Sequence, residues 1–317
     1  MKFERPPPVA AAGSGTLRTP VSDRDWTNAA AELSICRSEQ RRSTHLGSGS
    51  PHFETGRRIV RRIDCHMHVR GADVNWGWDH NDRIIEAADA LGIDQLAVSI
   101  PVMRGMPEYA TIRRCNDDVI AAMKQYPDRL LGYCYIVPGH SESQDEISRC
   151  FDAGMIGIKL YNQYKICDPV VYPVLERAIE EAVPVLEHAG RPTTRDFHDQ
   201  QPNISDASHF VEAATRYPEC MLIEAHIGGG GDWEWSIKQL RKAPSVYLDT
   251  SGSIIDDGMV EMCVRELGAD RILFATDMTM EGGVGKILGA ELTQAQREKI
   301  FWRNFQSMLD RRKGASS

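Results

Sequence analysis

Short runs of apolar and β-branched residues alternate along this chain with segments in which apolar residues recur every three to four positions. The first pattern is typical of strands buried on both faces, and the second of amphipathic helices. Eight strands are predicted, at Ile63–His68, Gln95–Ile100, Leu131–Val137, Gly157–Tyr161, Pro184–His188, Met221–His226, Val246–Thr250 and Ile272–Asp277. The alternation predicts parallel strands joined by crossover helices.

A helical pattern follows each predicted strand. The predicted helices are Asp82–Leu91, Asn116–Gln125, Asp145–Ala153, Tyr172–Ala182, Ala207–Arg216, Trp235–Lys242, Asp257–Leu267 and Thr293–Leu309. Eight such units within about 250 residues are the expected content of a (β/α)8 TIM barrel. An open doubly wound sheet is the alternative, but the segment Asp64–His68 stands where that fold usually carries its glycine-rich phosphate loop. The sequence therefore favours an α/β protein with a closed barrel.

Residues 1–60 differ from the rest of the chain. They are rich in Pro, Gly, Ser and Arg and show no sustained periodicity beyond a short helical stretch at Asp25–Ile35. This composition is typical of disordered segments. We predict an N-terminal extension over residues 1–60 and one catalytic barrel domain over residues 61–317.

Charge and composition exclude several classes of partner. The formal net charge is −8 and no basic block dominates the barrel region, so nucleic acid is not an expected partner. No apolar run reaches the roughly 18 residues that a membrane span needs, and the first residues lack the apolar core of a secretory signal. We expect a cytoplasmic protein that does not bind membranes and acts on a small molecule. A homo-oligomer is compatible with the sequence.

Potential metal ligands stand at the ends of four predicted strands. His66 and His68 end the first strand, His188 the fifth, His226 the sixth and Asp277 the eighth. In TIM barrels the active site forms at the carboxyl ends of the strands, so these side chains are expected at one rim. Imidazoles and a carboxylate suit Zn²⁺ and similar divalent ions, and a catalytic site leaves one coordination position open. The pattern predicts a metal centre.

At these residues the sequence resembles the amidohydrolase superfamily, in the branch called amidohydrolase 2 or aminocarboxymuconate-semialdehyde decarboxylase-like. The resemblance covers roughly residues 61–310, and the order of its motifs is more specific than any one of them. The motifs are IDCHMH at Ile63–His68, GIKLY at Gly157–Tyr161, YPVLE at Tyr172–Glu176, VPVLEHAG at Val183–Gly190, EAHIG at Glu224–Gly228, YLDTS at Tyr247–Ser251, LFATD at Leu273–Asp277 and WRNF at Trp302–Phe305.

The resemblance implies one divalent ion, Zn²⁺ or alternatively Mn²⁺, held by His66, His68, His188 and Asp277. It implies that His226 is a catalytic acid-base group, with Asp277 as a second group that moves protons. A neutral imidazole beside a metal-bound water can take its proton. A role of His226 as a fifth ligand is the alternative.

Two further polar residues, Asp249 and Lys159, are expected beside the metal ligands. Asp249 is a rival carboxylate ligand, but the resemblance assigns the metal to Asp277 and leaves Asp249 to hydrogen-bond a histidine or nearby backbone. In related barrels with two metals, a carbamylated lysine at the position of Lys159 bridges the ions. We favour a single ion, with Lys159 paired to a carboxylate such as Glu224.

Substrate contacts are expected from the loops that follow the strands. Arg104 and Arg191 could grip a carboxylate through two hydrogen bonds, and Trp78 could pack against an organic ligand. A solvated loop charge is the alternative for each arginine.

The predicted function is hydrolysis of a small organic ester, lactone or amide by metal-activated water. The alternative is non-oxidative decarboxylation of a small carboxylic acid on the same metal site, because the branch contains both chemistries. A catalytically silent binding protein is disfavoured, since every expected ligand position is present.

Overall fold

The computed structural model describes residues 60–71, 79–227 and 231–312. The predicted extension, apart from its last residue, lies outside the described residues, as does Trp78. Among the described residues, no helix is both long enough and apolar enough to cross a bilayer.

Eight parallel strands form one sheet in chain order, with each strand paired to the next. They are β1 (Ile63–His68), β2 (Gln95–Ser99), β3 (Leu130–Tyr135), β4 (Gly157–Leu160), β5 (Val185–Glu187), β6 (Leu222–Glu224), β7 (Tyr247–Asp249) and β8 (Ile272–Leu273). Backbone hydrogen bonds from Cys65 N to Phe274 O (2.9 Å) and from Asp277 N to His66 O (2.8 Å) join the end of the sheet back to β1. The predicted TIM barrel is confirmed.

Helices cover the outside of the barrel. They are α1 (Asp79–Ala90), α2 (Tyr109–Gln125), α3 (Ser143–Asp152), α4 (Tyr172–Glu181), α5 (Arg195–Gln200), α6 (Ala207–Arg216), α7 (Trp233–Leu240), α8 (Met259–Leu267), α9 (Met280–Gly289), α10 (Gln294–Glu298) and α11 (Asn304–Leu309). The last two are joined by a π-helical turn at Lys299–Arg303, so the predicted helix Thr293–Leu309 is confirmed with one irregular turn. Thr293 begins it with a capping box closed by Gln296.

Two of these helices were not predicted from the sequence. Helix α5 buries none of its residues, so it has no apolar stripe for a periodic pattern to reveal. Helix α9 contains four glycines, which are poor helix formers in isolation. Tertiary packing stabilises it instead, since Met280, Val284 and Ile287 are buried.

Two apolar layers hold the barrel together. The strand residues that point inward, among them Ile63, Ala97, Tyr133, Leu186 and Ile223, pack with one another and with the last helix. The outward residues pack against the covering helices. Because both faces are buried, the strands read as continuous apolar runs, and the polar residues among them stand out as candidates for function.

Candidate metal centre

Three imidazoles surround the carboxylate of Asp277 at the carboxyl end of the barrel. Asp277 Oδ1 lies 3.0 Å from His68 Nε2 and 3.9 Å from His66 Nε2, and Oδ2 lies 3.1 Å from His226 Nε2. One ligand atom from each of His66, His68 and Asp277 can be chosen so that all three lie within 4.8 Å of one another. These three side chains could hold one metal ion.

The opposite ring nitrogen of each imidazole contacts an oxygen. The Nδ1 atoms donate hydrogen bonds to Asp249 Oδ2 (2.9 Å from His66), to Ser99 O (3.0 Å from His68) and to Ala189 O (3.0 Å from His226). Because these acceptors hold the Nδ1 protons, each neutral ring presents a lone pair at Nε2. The Nε2 lone pairs and the carboxylate of Asp277 repel one another at these distances. Positive charge between them, from protons or from a cation, is needed to hold them together. This donor set fits a divalent metal ion.

A bulge in β1 aims both of its histidines at this space. The register of β1 against β2 shifts between Asp64 and Met67. Cys65 packs inside the barrel whereas Met67 packs among the helices, so the inward face changes parity across the bulge. Bulges often occur beside active sites, where they redirect side chains. The H-x-H spacing predicts that the two rings share a face, but only the bulge explains which face it is.

Backbone strain places His226 and Asp277. Their φ angles are +66° and +43°, in the left-handed region that non-glycine residues rarely adopt. Ile223 and Ala225 point into the barrel, so simple alternation would turn His226 outward. The positive φ instead brings its ring over the barrel mouth, where it stacks on His66 at 5.0 Å. Strain of this kind is concentrated at functional sites.

The strands are shorter at this rim than predicted. Strand β8 ends at Leu273 and β6 at Glu224, so Asp277 and His226 lie beyond the regular ladder. Ladder hydrogen bonding keeps side chains perpendicular to the sheet, whereas these residues must turn toward the barrel axis. The candidate site is therefore built on irregular backbone that follows regular strands.

The carboxylate of Asp249 fixes the orientation of the His66 ring through a hydrogen bond with Nδ1. In addition to the His66 hydrogen bond, its Oδ1 accepts from Ser251 Oγ at 2.6 Å and from the backbone N of His226 at 2.9 Å. Burial would raise the pKa of Asp249, but the hydrogen bond and the electrostatic interaction with His66 outweigh it and lower the pKa to about 2. Asp249 is therefore ionised at neutral pH and contacts His66 on the side away from Asp277.

Burial controls the ionisation of the cluster as well. The buried position of His66, together with the ammonium of Lys159, lowers the pKa of His66 to about 3. For Asp277, the penalty of burial is outweighed by its electrostatic interaction with the His66 ring and by hydrogen bonds with His226 and His68, which hold its pKa well below the usual range. At neutral pH the cluster thus combines a neutral His66 with an ionised Asp277.

Lys159 does not pair with Glu224, and that prediction was wrong. Its Nζ lies 2.9 Å from His66 Nε2, and the side chain is fully buried. Burial lowers the pKa of Lys159 to about 8, although the charges of Asp277, Asp249 and other acidic groups oppose this shift. Glu224 lies one position beyond the inward Ile223 and so points to the outer layer, where Lys159 does not reach.

His188 lies beside the cluster with its Nε2 turned away. That atom is 3.0 Å from Gln201 Oε1, which also accepts from Asn162 Nδ2 at 2.7 Å. The ring stacks on Tyr161 at 4.2 Å and meets His226 edge-on at 4.6 Å. The structure therefore brings His188 to the site, but its Nε2 is bonded to Gln201.

The two predicted substrate arginines differ in their surroundings. Arg191 Nη1 forms an ion pair with Asp232 Oδ2 at 2.5 Å, and its guanidinium lies 4.0 Å from the centre of the Trp235 ring. Arg104 is exposed in the loop after β2, and its side chain makes no hydrogen bond or ion pair within the described part of the chain. The guanidinium of Arg104 is available to a ligand, whereas that of Arg191 already contacts Asp232 and Trp235.

Two cavities open onto Asp277. One of about 310 Å³ is lined by His188, Ala189, Phe197, Gln201, His226, Gly252, Ser253, Ile254, Asp277 and Thr279. The other, of about 300 Å³, is lined by His68, Val69, Arg70, Ser99, Ile100, Pro101, Met103, Tyr161, His188, Asp277 and Met278. Sequence patterns gave no signal for Phe197, Ile254 or Gln201, because these residues lie in loops or a short exposed helix. Together the cavities can accept a small organic ligand beside the imidazoles.

Glu224 offers a test of burial near the site. It is 3% exposed, and its Oε2 has no hydrogen-bond partner among the described residues. Burial first, and then the charges of Asp206 and Asp249, raise its pKa well above 4.5. When the pKa of an acid is higher in the folded chain than in the unfolded chain, the protonated group stabilises the fold at any pH below the unfolded-state pKa. This stabilisation is lost as the pH rises through the folded-state pKa.

We therefore expect Glu224→Gln, which cannot ionise, to lose less stability than the parent chain between pH 5 and pH 9. Melting temperatures measured across this range should show a gap that grows with pH in favour of the variant. The matched control is Glu234→Gln, at an exposed position on α7. Parallel curves for the parent chain and Glu224→Gln would contradict the prediction.

Comparisons with known proteins identify one relative in sequence and several proteins of similar fold. The chain is 25% identical to gamma-resorcylate decarboxylase from Polaromonas sp. (strain JS666 / ATCC BAA-500), over 73% of this chain and 87% of that protein. Its fold is similar to that of a 2,6-dihydroxybenzoate decarboxylase bound to 2,6-dihydroxybenzoate, with a TM-score of 0.61, 18% identity and coverage of 79% and 98% of the two chains. It is also similar to 5-carboxyvanillate decarboxylase from Novosphingobium aromaticivorans DSM 12444, crystallised with manganese, with a TM-score of 0.60, 17% identity and coverage of 79% and 96%.

The amidohydrolase family model matches residues 63–309, a range that includes all eight strands and every residue of the histidine–aspartate cluster. The sequence-based resemblance is thereby confirmed. The chain belongs to the amidohydrolase family.

Proposed function

We propose that this protein is a metal-dependent decarboxylase that removes CO₂ from a small aromatic acid without oxidation. The observation that carries the proposal is its similarity to three decarboxylases of aromatic acids, one related in sequence and two in fold. The cluster of imidazoles around Asp277, beneath two small cavities, supports it. Hydrolysis, the first expectation from the sequence, has less support, because these relatives are named for decarboxylation.

The ion is assigned to His66, His68 and Asp277, whose ligand atoms lie close together. His188 becomes the fourth ligand only if its Nε2 exchanges Gln201 for the ion. The converging Nε2 lone pairs and the ionised carboxylate are the donor set that such an ion needs. Zn²⁺ and Mn²⁺ both suit nitrogen and oxygen ligands, and the manganese in the carboxyvanillate relative supports the second. When bound, the ion supplies positive charge that orients and polarises a substrate oxygen.

Decarboxylation requires a proton at the carbon that loses CO₂. The C–C bond to the carboxylate breaks, its electron pair stays on the ring carbon, and a C–H bond forms with the incoming proton. His226 can supply that proton from its doubly protonated form, because Ala189 O holds the Nδ1 proton and a second proton at Nε2 faces Asp277 and the adjoining cavity. The ring is then left neutral. Asp277 Oδ2, 3.1 Å from Nε2, can pass the proton on or hold the ring in position.

The surrounding residues fix the orientation of the acid-base group and provide apolar surface beside it. The rings of His66 and His188 lie 5.0 Å and 4.6 Å from that of His226 and limit its rotation. Phe197 and Ile254 line the same cavity and provide apolar surface for an aromatic ring. This arrangement suits a planar substrate whose carboxylate reaches Asp277 and His226.

A panel assay tests the proposal. Protein reconstituted with Zn²⁺ or Mn²⁺ would be incubated with hydroxybenzoates and, separately, with aryl esters and lactones, while CO₂ and acid release are measured. Metal-dependent CO₂ release from at least one hydroxybenzoate is the expected result. Acid release from esters or lactones, with no CO₂ from any aromatic acid, would contradict the proposal and favour hydrolysis as the function of the site.

A further inference from the structure

The loop that follows β7 forms one wall of the cavity that contains His226 and Asp277. Three of its residues line that wall, namely Gly252, Ser253 and Ile254. We call residues 250–254 the β7 loop. The position of its backbone decides how much room there is beside His226.

The backbone of the β7 loop packs closely against His226. Gly252 has a φ angle of +99°, and a Cβ atom built on it would lie 3.0 Å from Ile227 O and 3.6 Å from His226 Cβ. A larger residue would be strained by this conformation and crowded by these neighbours, so glycine suits the position. Because close-packed segments transmit displacements to one another, a shift of the β7 loop also shifts His226.

Asp249 holds the same two segments together from inside the barrel. Its Oδ1 accepts hydrogen bonds from His226 N at 2.9 Å, from Ser251 N at 2.9 Å and from Ser251 Oγ at 2.6 Å. One buried carboxylate oxygen therefore connects the backbone of His226 to that of the β7 loop.

Lys286 holds the β7 loop from the outside. Its Nζ donates to Gly252 O at 2.6 Å and to Thr250 O at 3.1 Å. Hydrogen bonds from a charged donor are stronger than neutral ones. Lys286 lies on α9, which packs tightly on the end of β8, since a Cβ atom on Gly283 would lie only 2.7 Å from Thr276 Cγ2. The ammonium group is thus fixed to the barrel through its helix.

We propose that Lys286 is a positioning residue for the acid-base group: it holds the β7 loop against His226 and so fixes where that ring delivers its proton. The inference rests on the proposed function, because it takes His226 as the proton donor. Lys286 lines neither cavity that contains Asp277, so it acts through the loop and does not touch the substrate.

Nuclear magnetic resonance of the Zn²⁺-loaded protein tests the positioning without turnover. Lys286→Met, which removes the donors of the side chain, is expected to move the Cε1–H ring signal of His226, assigned by its loss in His226→Ala. Lys286→Arg should retain the parental signal, since a guanidinium can donate to both carbonyls. Lys286→Gln, with a single neutral amide as donor, should move the signal less than Lys286→Met does.

Steady-state kinetics test the consequence for the reaction. With a hydroxybenzoate that is turned over in the panel assay, Lys286→Met is expected to lower kcat about 10-fold, less than the roughly 100-fold that a 1 Å misplacement can cost, because Asp249 still holds His226 N. The KM should change less than about 2-fold, and Lys286→Arg should restore kcat. The matched control is Lys238→Met, which removes an exposed ammonium paired with Glu234 on α7 and should leave kcat, KM and the His226 signal unchanged.

An unmoved His226 signal in Lys286→Met would overturn the inference. A raised KM with parental kcat would overturn it as well, because the lysine would then support only the wall of the binding cavity. If the panel assay found no decarboxylation, the His226 signal would still decide whether Lys286 positions that ring.

Discussion

Replacing His226 with alanine is expected to lower turnover about 10²- to 10⁴-fold while one divalent ion stays bound. The ring nitrogen that faces Asp277 is the proposed proton donor, and its loss leaves proton delivery to water. The ion should remain because His66, His68 and Asp277 form a close ligand group without His226. Steady-state kinetics and metal analysis on the same preparation measure both quantities.

Chemical rescue distinguishes proton transfer by His226 from a structural role of its ring. Added imidazole should restore part of the activity of His226→Ala, since the substitution opens space for a small base beside Asp277. The KM should change much less than kcat if the lost interaction belongs to the transition state. A variant that no longer retains the ion would identify His226 as a ligand and contradict its assignment as the acid-base group.

The second large effect concerns the metal itself. His68→Ala and Asp277→Ala are each expected to weaken binding of Zn²⁺ by more than about 100-fold, because even partners outside the ligand set change affinity 10- to 100-fold. His188→Ala should weaken it less, since its Nε2 is bonded to Gln201. Competition with a chelator of known affinity measures each constant.

His198→Ala is the control for these variants. His198 lies on α5 with 63% of its side chain exposed, and it lacks any contact with Asp277 in the described structure. Its metal affinity should equal that of the parent chain. Full metal content in His68→Ala or Asp277→Ala would contradict the assignment of the cluster as the metal centre.

The fold and most of the cluster could be predicted because they depend on local patterns. Buried parallel strands produce continuous apolar runs, and parallel strands in a barrel bring their carboxyl ends to one rim. His66, His68 and Asp277 follow from these two rules, and so does the position of His188 near them.

The remaining features depend on backbone conformations that the sequence pattern does not encode. The bulge before Met67 and the positive φ of His226 decide which side chains face the ion, and neither residue type signals such a conformation. The predicted pairing of Lys159 with Glu224 was wrong because Ile223 and Ala225 point into the barrel and Glu224, which lies between them, points outward. Gln201 was missed because it follows an exposed helix without apolar periodicity.

The order of the two candidate reactions was changed by the comparisons with relatives rather than by the geometry. The sequence analysis placed hydrolysis first, and a decarboxylase benefits from a fixed cationic side chain that holds the substrate carboxylate. Arg191 does not provide one, since Asp232 and Trp235 occupy its guanidinium. Arg104 is exposed in the loop after β2 and does not line either cavity that contains Asp277.

The central claim is that the cluster around Asp277 catalyses loss of CO₂ and protonation of the same carbon. One measurement follows the carbon that leaves and the hydrogen that enters. A hydroxybenzoate labelled with ¹³C in its carboxylate is turned over in D₂O enriched in ¹⁸O. The account predicts one ¹³CO₂ released for each deuterium that enters the ring, at the carbon that carried the carboxylate, with no ¹⁸O in the aromatic product. Metal-loaded protein that leaves the labelled carbon in the carboxylate and releases no ¹³CO₂ from any hydroxybenzoate would contradict it.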